Sequence, residues 1–320
     1  MSFETLLAEL ENPDQSVRVS DLTSLSDLRG EERERFLQAW RALSIQRRRE
    51  VIDRLADLTE DNVDFDFTAV FFTGLLDDDV QVRAESIKAL WEYESEDLVP
   101  VLVRLLHDDE ALVRAEAALG LGRFLLRAEL EDRDDPGSRE IESELRTVIH
   151  DGSELPEVRG RALEALGSRS KEWIHDIIDE AYASGERRLS ISAVHAMGAS
   201  ADPEWLPTII EEMHSEDSEM RFEAATAAGA IGDEDVVPEL SGLTVDDDPE
   251  VQEAAIGALG QIGGPAARSV LHSVASDQQD ERVLDAVAEA LSEADFIEDP
   301  LGLRLHLDRT DGQPSDEDDE

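Results

Sequence analysis

Val251-Gln252-Glu253-Ala254-Ala255-Ile256-Gly257-Ala258-Leu259-Gly260 is the stretch whose reading decides the fold. Counted from Val251, apolar or small residues stand at offsets 0, 4, 7 and 8, which is one face of a helix. The same register recurs from Val158 to Gly167 and, less strictly, from Val82, Val113, Leu189, Met220 and Val283. It extends backwards to Val51 and Val17. From Val51 onward the anchors stand 31, 31, 45, 31, 31, 31 and 32 residues apart. A spacing held that closely marks a repeat architecture, and the 45 reads as one repeat plus an insertion.

Offset four holds Ala117, Ala162, Ala193, Ala224 and Ala255, and offset seven Ala89, Ala165, Ala196, Ala227, Ala258 and Ala290. Small residues there let a neighbouring helix come close. Offset nine holds Gly122, Gly167, Gly198, Gly229 and Gly260, read as helix ends that need a left-handed residue. A second helix is marked by Pro100, Pro207 and Pro238, each 18 residues past its anchor, where a first-turn proline is tolerated. Asp14, Asp79, Asp217, Asp248 and Asp280 stand three residues before their anchors, where an N-cap is wanted. Pro156 and Pro249 are further first-turn prolines. Each unit is therefore two antiparallel helices that cannot bury their apolar faces alone, and stacking completes the core. The predicted fold is all-α, a right-handed α-solenoid.

Val-Arg-x-x-Ala-x-x-Ala-Leu-Gly, preceded by Asp and followed by a Leu/Val-Pro helix, resembles the HEAT repeat, and more narrowly the short HEAT-like repeat of phycobilisome lyases. The resemblance covers residues 45 to about 293. It implies an armadillo-type scaffold and says little of function, because such arrays serve many tasks. Residues 43–62 also look like bacterial HEAT-repeat proteins of unassigned role. The expected organisation is a helical cap over 1–44, a repeat array over 45–299 with an insertion near 127–139, and a C-terminal strip with a disordered acidic tail over 300–320. The insertion reads either as a charged loop or as a helix extension plus loop. Leu301, Leu303, Leu305 and Leu307 alternate like a strand, either packing on the last unit or serving as a motif for a partner's sheet edge.

The chain has 320 residues, 78 Asp plus Glu against 29 Lys plus Arg, and a formal charge of −49. Such a chain is repelled by phosphate backbones and by anionic lipid, so neither nucleic acid nor membrane is an expected partner. With no cysteine there are no disulfides, thiolate metal sites or cysteine nucleophiles. Only Lys88 and Lys171 are lysines; adaptation to high salt and a GC-rich genome both account for that. The N-terminus lacks a basic leader and no apolar run is long enough to span a bilayer, so a cytoplasmic protein is expected.

Arg at offset one (Arg18, Arg83, Arg114, Arg159, Arg221) reads as a structural ladder. By the resemblance, an Asp in the inter-helix turn pairs with the arginine of an adjacent unit. Bidentate geometry explains why lysine would not serve. Seven arginines between 33 and 54 form one basic island, read as helices meeting acids of the next unit or as a dock for an acidic tail. Metal hydroxylases on HEAT repeats use His-Glu pairs. No histidine here precedes Glu, and His107, His150 and His175 precede Asp at scattered offsets, so neither metal nor enzyme is expected. Asp61, Asp64 and Asp66 lack the Gly and Glu of a calcium loop. Gly257 to Gly264 lack the strand and Lys-Ser/Thr of a phosphate loop. Of four tryptophans, Trp91 alone replaces an offset-nine Gly and is the candidate for a partner surface.

The expected function is a non-enzymatic protein-interaction scaffold with no cofactor. Its concave face is expected to carry Glu85, Glu116, Arg161, Glu164, Ser192, His195, Glu223 and Glu253 as exposed second-helix positions. A mostly acidic groove selects a basic protein or peptide. The alternative, by resemblance to the phycobilisome lyases, is a lyase-like or chaperone-like factor for a tetrapyrrole-binding protein.

Overall fold

The computed structural model describes residues 3–12, 17–62, 64–277 and 279–298. Asp14, the alternating leucines 301–307 and the acidic tail lie outside the described residues. The chain divides into two compact units, 1–166 and 167–320. Among the described residues there are eighteen α-helices and no strand. Both units are HEAT-like α-solenoid.

The first unit opens with α1 (Phe3–Leu10), α2 (Val19–Leu22), a short 3₁₀ turn and α3 (Gly30–Ala42). α1 lies on α3 and α2 on α4 (Ile45–Asp61). The helix pairs α5 (Thr68–Gly74) with α6 (Val80–Ala89), and α7 (Val99–Leu105) with α8 (Ala111–Leu130), follow. α9 (Pro136–His150) packs with α10 (Pro156–Leu166). The second unit pairs α11 (Glu172–Tyr182) with α12 (Arg187–Ala199) and α13 (Leu206–Glu212) with α14 (Ser218–Ile231). It ends with α15 (Val237–Leu243) on α16 (Pro249–Ile262) and α17 (Gly264–Asp277) on α18 (Glu281–Glu298).

Second helices of successive pairs lie side by side. In the first unit the row is α4, α6, α8, α10, and in the second α12, α14, α16, α18. The anchors Val82, Val113, Val158, Leu189, Val251 and Val283 are all buried, and so are the offset-eight residues Leu90, Leu121, Leu166, Met197 and Leu259. Each fully buried aliphatic side chain contributes about 1.5–3 kcal/mol of transfer free energy. These buried stripes are what an isolated pair would leave in water.

The capping signals work as their chemistry requires. Asp79, Asp217, Asp248 and Asp280 accept backbone N–H bonds from Val82, Glu219, Glu250 and Arg282 at 3.0–3.2 Å. Pro100, Pro207 and Pro238 sit in the first turns of α7, α13 and α15. Each of these seven-residue helices is entered through one 3₁₀ turn, so the rod is ten residues long.

The offset-nine glycines have a different cause from the one expected. None has positive φ; Gly232 and Gly263 take the left-handed positions after α14 and α16 instead. A Cβ on Gly198 would stand 2.5 Å from Ala227 Cα, and on Gly260 2.8 Å from Ala290 Cα. Gly122, Gly167 and Gly229 face Ala165, Ala196 and Ala258 in the same way, at 2.7–3.0 Å. Glycine is needed because offset nine of one helix touches the offset-seven alanine backbone of the next. Two small residues, nine and seven past successive anchors, set the spacing of the row.

The 14-residue insertion takes the second of the two readings. It lengthens α8 to 20 residues and α9 to 15, leaving a short turn between Leu130 and Pro136. Asp135 caps α9 by accepting from Ser138 N–H at 2.9 Å.

Candidate functional site

The ladder arginines join consecutive inter-helix turns. Arg83 Nη1 donates to Asp77 O of its own turn at 2.8 Å, and Nη2 to Asp108 Oδ1 of the next at 2.7 Å. Arg114 does the same with Asp108 O at 2.8 Å and both oxygens of Glu154 at 2.6 and 2.8 Å. Arg221 binds Ser215 O and both oxygens of Asp246, all at 2.8 Å. Gln252, in place of arginine, makes the backward bond, to Asp246 O at 2.6 Å. Arg159 bonds the Ile149 carbonyl at 2.8 Å, a backbone partner in its own turn. Arg18 is exposed at the N-terminus of α2. Arginine bonding holds the Asp246 and Glu154 carboxyls below the usual carboxylate range.

A second set of clips includes an arginine of the basic island, in line with the expectation that its helices meet acids of the next unit. Arg49 grips both oxygens of Asp79 at 2.8 and 2.7 Å, and Arg187 grips both oxygens of Asp217. Each arginine stands two residues before its anchor, and each carboxylate is the N-cap of the next second helix. Arg187 went unread, and no repeat signal marks it, because apart from Arg49 the other anchors carry no arginine at that offset. Of the basic island, Arg48 also reaches the next turn, at Asp77 and Asp78, while Arg47 and Arg54 pair with Glu50 of their own helix and Arg35 reaches Glu4.

The second-helix face carries the candidate partner residues. In the first unit Lys88 lies 3.1 Å from Glu85 and 3.7 Å from Glu116, bridging α6 and α8. Arg161 on α10 pairs with Glu164 at 2.7 Å and Glu157 at 3.4 Å. Burial pushes the Glu116 carboxyl up, against the pull of Lys88 and Arg161. In the second unit His195 Nδ1 stands 3.1 Å from Glu223, joining α12 to α14. Arg282 reaches Glu253 at 3.0 Å, joining α18 to α16.

Two of the eight expected positions are not at the surface. Glu164 is 7% exposed and Ser192 fully buried. Helices packed side by side bury more than the single stripe that periodicity reveals, so offsets three and six also reach neighbours. Glu85, Glu116, Arg161, His195, Glu223 and Glu253 remain partly accessible.

Trp40 and Trp205 are buried, Trp173 is half-buried and Trp91 is 57% exposed. Trp91 lines a groove with Arg123, Phe124, Leu126, Arg127 and Leu130, all from the lengthened α8. Arg123 and Arg127 donate to the Leu90 and Glu94 carbonyls after α6. Burial and the neighbouring Arg127 lower the Arg123 pKa to about 10.

The HEAT repeats family model matches residues 68–134, 174–248 and 206–292, together more than half of the chain. The chain belongs to the HEAT-repeat family. Among solved structures, its fold is similar to the CpcE–CpcF complex of phycocyanin lyase from Nostoc sp. PCC7120. That match has 15% identity and a TM-score of 0.54, and it covers 83% of this chain and 96% of the other. Human deoxyhypusine hydroxylase is 20% identical with a TM-score of 0.32, over 75% of this chain and 98% of that one. Importin beta is 14% identical with a TM-score of 0.45, over 91% of this chain and 46% of that one. Identities this low show the fold alone. A comparison with curated protein sequences gives no match. Among the described residues of this HEAT-repeat protein, no helix is long and apolar enough to cross a membrane.

Proposed function

We propose that this HEAT-repeat protein is a non-enzymatic scaffold whose second-helix face holds a basic protein or peptide. The observation that carries the reading is how the cations are used. Arg48, Arg49, Arg83, Arg114, Arg187 and Arg221 are spent on carboxylates inside the turns. Lys88, Arg161 and Arg282 offset only part of the acid on the face. The chain's formal charge of −49 leaves carboxylates in large excess over cations, and their summed field attracts cations and steers basic ligands. A labelled Arg/Lys-rich peptide titrated into the protein at low and high ionic strength tests this. Tight, fast binding that weakens with salt is expected. No binding at low salt, or binding indifferent to salt, overturns it.

A second reading rests on the fold similarity to the CpcE–CpcF complex, over 96% of that chain. It makes this protein a lyase-like or chaperone-like factor for a tetrapyrrole-binding protein. Added bilin that leaves the absorption spectrum unchanged dismisses it.

A further inference from the structure

In the second unit, α11 meets the 3₁₀ turn Pro203–Trp205 that leads into α13. His175 on α11 places Nε2 3.5 Å from Asp202 Oδ2. Glu204 completes a cluster in which one ligand atom from each residue lies within 4.8 Å of the other two. Asp202 is the N-cap of that turn, and its Oδ1 accepts the Glu204 N–H at 2.9 Å. Its other oxygen is left facing the imidazole. The His175 ring packs on the buried Trp205 ring, 5.3 Å between centroids and tilted by 53°. Two of the three donors are therefore held by packed or capped elements before any ion arrives. Glu204, exposed, is the adjustable one.

Zinc bonds to imidazole nitrogen and carboxylate oxygen are about 2.0–2.2 Å long, which sets tetrahedral donors roughly 3.3–3.5 Å apart. The His175–Asp202 separation already meets that distance, and a rotamer change brings Glu204 in. Exposed carboxylate groups are commonplace in a chain with 78 acids; the imidazole makes this one different. One nitrogen and two oxygens suit a borderline ion such as zinc, whereas calcium and magnesium want oxygen shells of six or more.

We propose that His175, Asp202 and Glu204 hold a divalent transition-metal ion of the zinc class, with water filling its open positions. The ion is structural. It joins α11 to the turn of the following repeat, across 27 residues of sequence. Adjacent His-acid pairs in the sequence do not reveal it, because its ligands come from two different helix pairs.

The test uses the full-length chain and its intrinsic tryptophan fluorescence, since Trp205 touches the ligating ring. Nickel ion is titrated in moderate salt, which screens diffuse binding to surface carboxylates. Saturable quenching with one ion per chain is expected, reversed by zinc or a chelator but not by a large excess of magnesium. His175→Ala should abolish the saturable phase, and Glu204→Gln should weaken it at least tenfold. Zinc at a hundred times its dissociation constant should raise Tm by about 5 °C in the wild type only. If His175→Ala does not fold, Glu204→Gln decides, because that side chain is exposed. Quenching unchanged by either substitution, or displacement of nickel by magnesium as readily as by zinc, overturns the proposal.

Discussion

Arg221 grips Asp246 with two parallel bonds of 2.8 Å and gives its third nitrogen to the Ser215 carbonyl at the same distance. One guanidinium thus fastens two consecutive turns. A lysine ammonium cannot reproduce that fork. Arg221→Lys should cost about 1 kcal/mol and Arg221→Ala about 2 kcal/mol or more, since truncation strands a largely buried carboxylate. Urea unfolding checks both. Equal stability of the lysine variant and the wild type would show that charge alone suffices.

Glycines of the second-helix row should respond to alanine in opposite directions. Gly198→Ala places a Cβ 2.5 Å from the Ala227 backbone, and overpacking should cost about 1–3 kcal/mol. Gly257→Ala, inside α16 with nothing within 4 Å of the new Cβ, should gain about 0.5–1 kcal/mol. Thermal unfolding of the two variants side by side tests the sign.

Acid should unfold the protein through its clips. Glu154, Asp246, Asp79 and Asp217 have folded pKa values lowered by arginine bonding. A lowered folded pKa means that the unfolded state binds the proton more readily. The stabilisation is fully present above the unfolded values, about 3.9 for Asp and 4.3 for Glu. It is lost as pH falls from there through the folded values. Tm should therefore hold level near neutrality and drop steeply below about pH 4. Arg221→Ala should show a shallower drop, having lost one linked group.

Asp77 ties the first helices to the array. Its carboxylate accepts from the Trp40 indole at 2.7 Å and from Arg48 at 3.0 Å, and it also receives the Asp79 N–H at 2.9 Å. Asp77→Ala leaves the Trp40 indole and the Asp79 N–H without this acceptor and Arg48 with Asp78 alone, which should cost about 3–5 kcal/mol. Urea unfolding followed by intrinsic tryptophan emission reads the loss.

On the scaffold reading, Glu85→Gln with Glu116→Gln should slow association of a basic peptide several-fold at low salt, with little change in dissociation. Stopped-flow measurement at two ionic strengths separates the rates. An association rate indifferent to both substitutions places the basic ligand elsewhere.

Much of this architecture was legible in the amino-acid sequence. The 31-residue step, the buried anchors, the Asp caps and the first-turn prolines are local consequences of helix periodicity and of unpaired backbone groups at helix ends. They depend on neighbours within one turn of the chain. The offset-one arginines were legible as a ladder, although Glu154 and the Ile149 carbonyl rather than aspartates serve Arg114 and Arg159.

Helix-to-helix distance was not legible. Gly198 belongs to a helix face in contact with Ala227, and no reading of either segment alone reveals that a Cβ at 198 would stand 2.5 Å from Ala227 Cα. The same holds for the buried Glu164 and Ser192, which periodicity placed outside. It holds for His175 and Asp202, brought together from separate repeats. The amino-acid sequence by itself determined the helices, their caps and the repeat step, because those forces act over a few residues. Only tertiary structure decided which glycines are spacers, which carboxylates are clipped and which acids face water. Those outcomes depend on how closely one helix lies against the next.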